Sequence, residues 1–113
     1  GHQVGRFRGI EVTQKGYLIA EAKVGDVAAY EIYKGLAQSA IAQYGGRYLV
    51  RGGAAEILEG KWTNVPRLVI VEFDSPEQAK CFYQSAEYQA ARKVRENAAE
   101  MNMLVVAGID NLI

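Results

Sequence analysis

Gly45-Gly46-Arg47-Tyr48-Leu49-Val50-Arg51-Gly52-Gly53 is the stretch from which the rest of the chain can be read. Two glycine pairs bracket five residues that alternate in character. In an extended strand Arg47, Leu49 and Arg51 point to one face and Tyr48 and Val50 to the other. The first pair suits a helix stop, because glycine takes the left-handed conformation without a Cβ clash. The second pair suits a bulge or bend, after which Ala54 to Glu59 is expected to resume as strand.

Upstream, Tyr17 to Val24 alternates cleanly: Leu18, Ala20, Ala22 and Val24 form one face, and Tyr17, Ile19, Glu21 and Lys23 the other. Gly25-Asp26 ends that strand, and Asp26 can cap a helix running to about Tyr44. Val27, Tyr30, Tyr33, Ala37, Ile41 and Tyr44 line one side of it. Downstream, Gly60 to Pro66 reads as a loop holding Trp62, and Arg67 to Asp74 as a strand. Ser75-Pro76-Glu77-Gln78 predicts a helix start, with Ser75 as cap, Pro76 in the first turn and Gln78 completing a capping box. The helix is expected to kink near Ser85 and resume from Glu87 to about Glu100, with Met103 to Ile109 as a last, buried strand.

Before all this, Gly1-His2 reads as the scar of a cleaved tag. Residues 1–16 are expected to form an extension with a short edge strand through Phe7 to Val12, and residues 17–113 a single domain. If His2 belongs to a tag, the domain holds no histidine, since the chain has only one. That would remove histidine-based triads and most transition-metal sites.

Composition narrows the function classes. With 113 residues, half of them hydrophobic and 23% charged, the chain fits one soluble domain. Thirteen basic residues balance thirteen acidic ones, so no basic excess points to nucleic acid. Cys81 is the sole cysteine, which excludes an internal disulfide and a zinc–thiolate cluster. No apolar run approaches a membrane span of ~18 residues, and no secretion signal opens the chain. A cytoplasmic location, no cofactor and no metal are expected. Neither GxGxxG nor GxxxxGK[ST] occurs, so nucleotide binding has no support.

The order strand, helix, strand, strand, helix, strand gives two split units. Their expected product is an α+β, ferredoxin-like βαββαβ domain, an antiparallel sheet with two helices on one face. Parity assigns Leu18, Ala20, Tyr48, Val50, Val69, Val71 and Phe73 to the helix side. The uncovered face then carries Tyr17, Ile19, Leu49, Leu68 and Ile70, mixed with Glu21, Arg47, Arg51 and Glu72. Such a patch is rarely left in water, and packing two sheets face to face in a homodimer covers it.

Tyr30-x-x-Tyr33, the Gly45–Gly53 stretch, Glu59-Gly60-x-Trp62 and Arg67-Leu68-Val69-Ile70-Val71-Glu72-Phe73 occur in order. Ser75-Pro76-Glu77, Ser85-x-Glu87-Tyr88-Gln89, Arg92 and Arg95 follow. Together they resemble the family called domain of unknown function 1330, within the dimeric α/β-barrel superfamily. The resemblance covers about Tyr17 to Ile109. It implies a ferredoxin-like protomer and a barrel formed by dimerisation, but no activity. Superfamily relatives include cofactor-free monooxygenases, lactone isomerases and haem-degrading enzymes, and fold does not fix function.

Tyr17, Glu21, Arg51, Trp62 and Glu72 are the candidate ligand-binding residues. Glu21 and Glu72 are expected at similar points on neighbouring strands, where paired carboxylates can share a proton and serve as acid and base. Arg51 beside them could clamp a ligand carboxylate. The plainer reading is a structural Glu–Arg network that fixes the dimer. Trp62 reads as a pocket wall or an anchor for the partner subunit. Cys81 reads as a buried, inert thiol. Arg92, Lys93 and Arg95 read as a solvated face paired with neighbouring glutamates, and Arg67 and Lys61 as solvated or paired with Glu59. The expected function is a homodimer that binds a small organic ligand between sheet and partner. The alternatives are a cofactor-independent enzyme, monooxygenase- or isomerase-like, with Glu72 as base on a small aromatic or keto-acid substrate, and an interaction module with no ligand.

Overall fold

The structure, a computed structural model, describes residues 6–7, 10–62, 67–109 and 111–112; Gly1-His2 and residues 63–66 of the Trp62 loop lie outside the described residues. Two short strands, β1 (Arg6–Phe7) and β2 (Ile10–Thr13), stand where one edge strand is expected. β3 (Gly16–Val24) follows, and its side chains alternate buried and half-buried as the sequence dictates. Asp26 caps α1 (Val27–Gln43) by accepting from the Ala29 amide at 3.1 Å. Gly45 ends the helix at φ 80°. From there the Gly46 amide reaches the Ile41 carbonyl at 2.9 Å and the Gly45 amide reaches that of Ala42 at 3.1 Å.

β4 (Arg47–Arg51) is the organising strand. Beyond it the expected strand Ala54 to Glu59 does not form; residues 53–59 are exposed and irregular. β5 (Arg67–Phe73) leads into α2 (Pro76–Gln84), with Ser75 Oγ accepting from the Gln78 amide at 3.0 Å. The Gln78 side chain does not close the expected capping box; its Nε2 donates to the Tyr44 carbonyl at 3.0 Å, tying α2 to the end of α1.

Ser85, with extended backbone, separates α2 from α3 (Ala86–Val94) and serves both. Its buried hydroxyl donates to the Phe82 carbonyl at 2.7 Å and accepts from the Tyr88 amide at 3.1 Å. Ser85→Ala is therefore expected to cost about 1–2 kcal/mol, a buried cap's usual worth, read as a lower urea midpoint at unchanged slope. A loss no larger than that of an exposed substitution would mean that water replaces the hydroxyl.

The last helix ends earlier than its periodicity implies. β6 (Ala99–Ala107) begins four residues before the expected start and stops two residues short, and β7 (Asn111–Leu112) pairs with β2. The Ala98 carbonyl accepts from the amides of Gly25 and Asp26 at 2.8 and 2.9 Å, so the turn is held from outside the helix.

The main sheet has the order β4-β5-β3-β6 with every neighbour antiparallel. The helices pack on one face, making this the expected α+β ferredoxin-like fold. Leu18, Ala20, Val71 and Phe73 from the sheet meet Tyr30, Tyr33 and Ile41 of α1 and Phe82, Tyr88 and Ala91 of α2 and α3. Tyr88 is among the most deeply buried side chains, while Val27 at the start of α1 is 66% exposed rather than part of the apolar side. Cys81 is exposed, not buried as expected.

Register places the site residues. Glu72 lies opposite Tyr17, whereas Glu21 lies opposite Leu68. In β4, Tyr48 faces Val71 but Val50 faces Ile70, so Leu49 is an extra residue in a β-bulge. Beyond that bulge the parity inverts. Val50 joins the uncovered face with Ile70, and Arg51, opposite Val69, joins the helix side.

Candidate functional site

The uncovered sheet face carries three cross-strand rows, built by strict pairing. In the first, Arg47, Glu72, Tyr17 and Val106 stand side by side on β4, β5, β3 and β6. The Tyr17 hydroxyl donates to Glu72 Oε2 at 3.0 Å, and Arg47 places Nε and Nη2 on Oε1 at 3.1 and 2.8 Å. Arg47 Nη2 also reaches Asp74 at 3.4 Å, as does Lys15 Nζ.

The Arg47 and Tyr17 hydrogen bonds hold the Glu72 carboxyl below its ordinary value of 4.5. Lys15 and Arg47 hold Asp74 below 3.8. The bond to Glu72 raises the Tyr17 phenol. Carboxylates lowered in the folded state contribute stability that is full above their unfolded values and lost as pH falls through the folded ones. Arg47→Gln is thus expected to lower Tm near pH 7 and to flatten the fall in Tm between about pH 5 and about pH 3. An acid limb identical to that of the parent chain would mean that the network does not survive in solution.

The second row is apolar: Leu49 and Val50 of the bulge, then Ile70, Ile19 and Leu104. Leu49 and Leu104 are 54% and 56% exposed, high values for large aliphatic groups in a sheet. The third row sets Leu68 beside Glu21 and Asn102, and Asn102 Nδ2 donates to Glu21 Oε1 at 2.8 Å. Trp62 stands over this end, closing a groove of about 310 Å³ with Ile19, Glu21, Leu68, Asn102 and Leu104.

The five candidate residues are therefore divided. Tyr17 and Glu72 share one hydrogen-bonded unit, and Glu21 and Trp62 line one groove. Glu21 and Glu72 do not meet: their positions are offset by four steps along the strand, ~13 Å at ~3.3 Å per residue. No shared-proton pair forms. Arg51 leaves the group altogether, carried through the sheet by the bulge. Among the described residues, no group of three histidine, cysteine or acidic side chains could hold a metal ion.

Two residues were missed by sequence reasoning. Asn102 falls between the expected helix end at about Glu100 and the expected strand start at Met103, and the structure places it inside β6. Arg67 was read as solvated, yet it lies opposite Ala22 and shares parity with Val69, Val71 and Phe73, a signal that was available. It lines a cavity of about 40 Å³ under α1, with Tyr30, Tyr48, Arg51, Tyr88 and Met103 among its walls. Arg95 departs from the expected solvated face as well. Its guanidinium lies 5.4 Å from the centre of the Tyr33 ring and donates to the Tyr88 hydroxyl at 3.3 Å. The Tyr33 and Tyr88 hydroxyls bond each other at 2.9 Å, and burial pushes the Tyr33 phenol far above its ordinary value.

A family profile described as domain of unknown function, DUF1330, matches residues 15–109. The chain belongs to the DUF1330 family. Solved structures give the same fold for this DUF1330 chain. A protein of unknown function from Rhodopseudomonas palustris is similar at 16% identity and TM-score 0.68, over 86% of this chain and 84% of that one. A candidate antibiotic biosynthesis monooxygenase from Nitrosomonas europaea is similar at 14% identity and TM-score 0.57, over 86% and 92%. A dimeric ferredoxin-like protein of unknown function from Thermobifida fusca is similar at 12% identity and TM-score 0.51, over 95% and 99%. At these identities the likeness extends to the fold alone. No curated protein matches the chain. No helix among the described residues is long and apolar enough to cross a membrane.

Proposed function

We propose that this DUF1330 domain is a homodimer joined through the uncovered sheet face, binding a small, largely apolar organic ligand in the groove beside Trp62. The observation that carries the reading is the composition of the three rows. An apolar band runs across all four strands; on one side of it Arg47 and Tyr17 hold Glu72, and on the other Glu21 accepts from the neutral amide of Asn102. Polar groups paired within the protomer enter an interface at less cost than unpaired ones, and the band gains by leaving water. The structurally similar protein from Thermobifida fusca is dimeric, which supports self-association. The groove walls are aliphatic and aromatic apart from Glu21 and Asn102. A partner sheet laid across the face would roof the groove over.

The alternative of a cofactor-independent enzyme with Glu72 as base gains nothing from this geometry. A base working near neutrality needs a raised pKa, and Glu72 is lowered, with both oxygens engaged by donors. Sedimentation velocity at micromolar concentration tests the assembly, with twice the 12.4 kDa chain mass expected. Trp62, the only tryptophan, reports on the same face, so its emission should shift to the red as dilution dissociates the dimer. Native mass spectrometry should retain a ligand on the purified protein and lose it in Trp62→Ala. A monomer at high concentration would refute the dimer, and an adduct indifferent to Trp62 would refute the groove.

A further inference from the structure

We infer that an extended acidic peptide docks on the open edge of β6 as a fifth strand of the main sheet. Its acidic side chains enter the basic groove between that edge and α2–α3. The order β4-β5-β3-β6 leaves two edges, and they are built differently. β4 is five residues long, carries an arginine at each end and is bent by the bulge at Leu49, features that discourage a further strand. β6 runs for nine residues in regular register with β3, with no proline, no lysine and a single charge at Glu100. Among the described residues no strand pairs with its outer side. An edge longer than the ~5–6 residues of an ordinary strand, with its outer amides and carbonyls free, is a template for another chain.

Beside this edge lies a groove of about 390 Å³, walled by Lys80, Tyr83, Arg92 and Arg95 and floored by Met101 and Met103. Three cations line it, and no aspartate or glutamate does. The sequence pattern pairs Arg92 and Arg95 with neighbouring glutamates, yet among the described residues none of the three cations forms a salt bridge. Arg95 is fixed against the inner wall by its bond to the Tyr88 hydroxyl, while Lys80 and Arg92 are exposed at the rim. Like charges gathered without an anion repel one another, and a carboxylate entering between them relieves this.

Pairing parity names the sequence that fits. Met101, Met103 and Val105 point to the helix side, opposite Ala22, Ala20 and Leu18, and Asn102, Leu104 and Val106 to the uncovered face. Side chains of an added strand alternate in the same way. Those on the helix side enter the groove and meet Lys80, Arg92 and Arg95. Those on the other side lie next to Leu104 and Val106, which are 56% and 45% exposed. The partner is therefore a segment in which acidic residues alternate with apolar ones. The inference does not rest on the homodimer or on a ligand beside Trp62.

The test uses the full chain and an acetylated, amidated heptapeptide alternating glutamate with valine, at constant ionic strength. Saturable binding by calorimetry is expected, together with slowed hydrogen exchange of β6 amides between Met101 and Val105. Glutamine in place of glutamate should weaken binding roughly tenfold or more, the scale of a lost charged hydrogen bond. The same composition arranged as a glutamate block and a valine block should weaken it as much, and so should N-methylation of every backbone amide. Lys80→Gln and Arg92→Gln, both at exposed positions, should each weaken binding severalfold, and exposed Lys93→Gln should leave it unchanged. No saturation by ~1 mM, equal affinity for the block or N-methylated peptide, or protection confined to another segment would each overturn the assignment. Outer amides of β6 already protected before peptide is added would overturn it too, because a second copy would then hold that edge.

Discussion

Ile19→Lys is expected to turn the proposed homodimer into a folded monomer. Ile19 sits on the central strand β3, between Ile70 on β5 and Leu104 on β6, at the middle of the apolar row. In the protomer it is only half-buried and points away from the helices, so a lysine there can reach water and the core is untouched. Across a two-fold interface the same change brings in two ammonium groups, one from each copy. Glu72 is already taken by Arg47 with Tyr17, and Glu21, which accepts from the neutral Asn102 amide, could pair with the ammonium only by bringing a second desolvated ion into the interface. An unpaired buried charge costs several kcal/mol, so the dissociation constant should rise by about a thousandfold or more. Sedimentation velocity over a dilution series reads this directly, with circular dichroism confirming the fold. Ile32→Lys, at an exposed position on α1, should leave the dimer intact. A variant at Ile19 that dimerises as tightly as the parent chain would mean that the copies meet elsewhere.

That prediction rests on a face readable from alternation alone, and the limits of alternation explain what was not readable. Leu18 and Ala20 against Tyr17, Ile19 and Glu21 announce the two sides of β3, and Ser75-Pro76 and Ser85 announce their helix ends, because each signal is local. The bulge at Leu49 is not local. It depends on how β4 pairs with β5, and one extra residue was enough to exchange Val50 and Arg51 between faces. The separation of Glu21 from Glu72 has the same origin, since register is a property of two strands and each sequence shows only one. The early end of α3 is a third case. Glu96-Asn97-Ala98 contains no glycine or proline, and the turn is held by amides of Gly25 and Asp26 seventy residues away. Ala54 to Glu59 could alternate as a strand, but they do not pair with the open edge of β4 and stay exposed. Of the candidate residues, Tyr17, Glu21 and Glu72 stand on the uncovered face, Trp62 stands in its loop at one end of it, and Arg51 marks the cavity that alternation hid.

Phe82→Ala is expected to bring the protomer to the margin of stability. Phe82 is 1% exposed and stands where α1, α2, α3 and the sheet converge. Its ring centre lies 4.8 Å from that of Tyr88, 5.4 Å from Phe73 and 6.4 Å from Tyr44. Truncation removes a large apolar transfer term and leaves a void, typically about 3–5 kcal/mol together, and severs aromatic pairs worth about 0.5–1.5 kcal/mol each beyond their area. The site cannot collapse easily. Phe73 is fixed in β5, Tyr88 is held through the Tyr33 and Arg95 hydrogen bonds, and Ser85 locks the α2–α3 junction between them. Against a total of about 5–15 kcal/mol for a domain, that loss removes a third or more of the stability. Urea unfolding at fixed protein concentration is the measurement, since the proposed dimerisation would tie the midpoint to concentration. Phe82→Leu, which keeps most of the volume, should lose less than half as much. If alanine and leucine proved equally mild, the helices would have to close over the gap, and the rigid junction at Ser85 would not be what holds them apart.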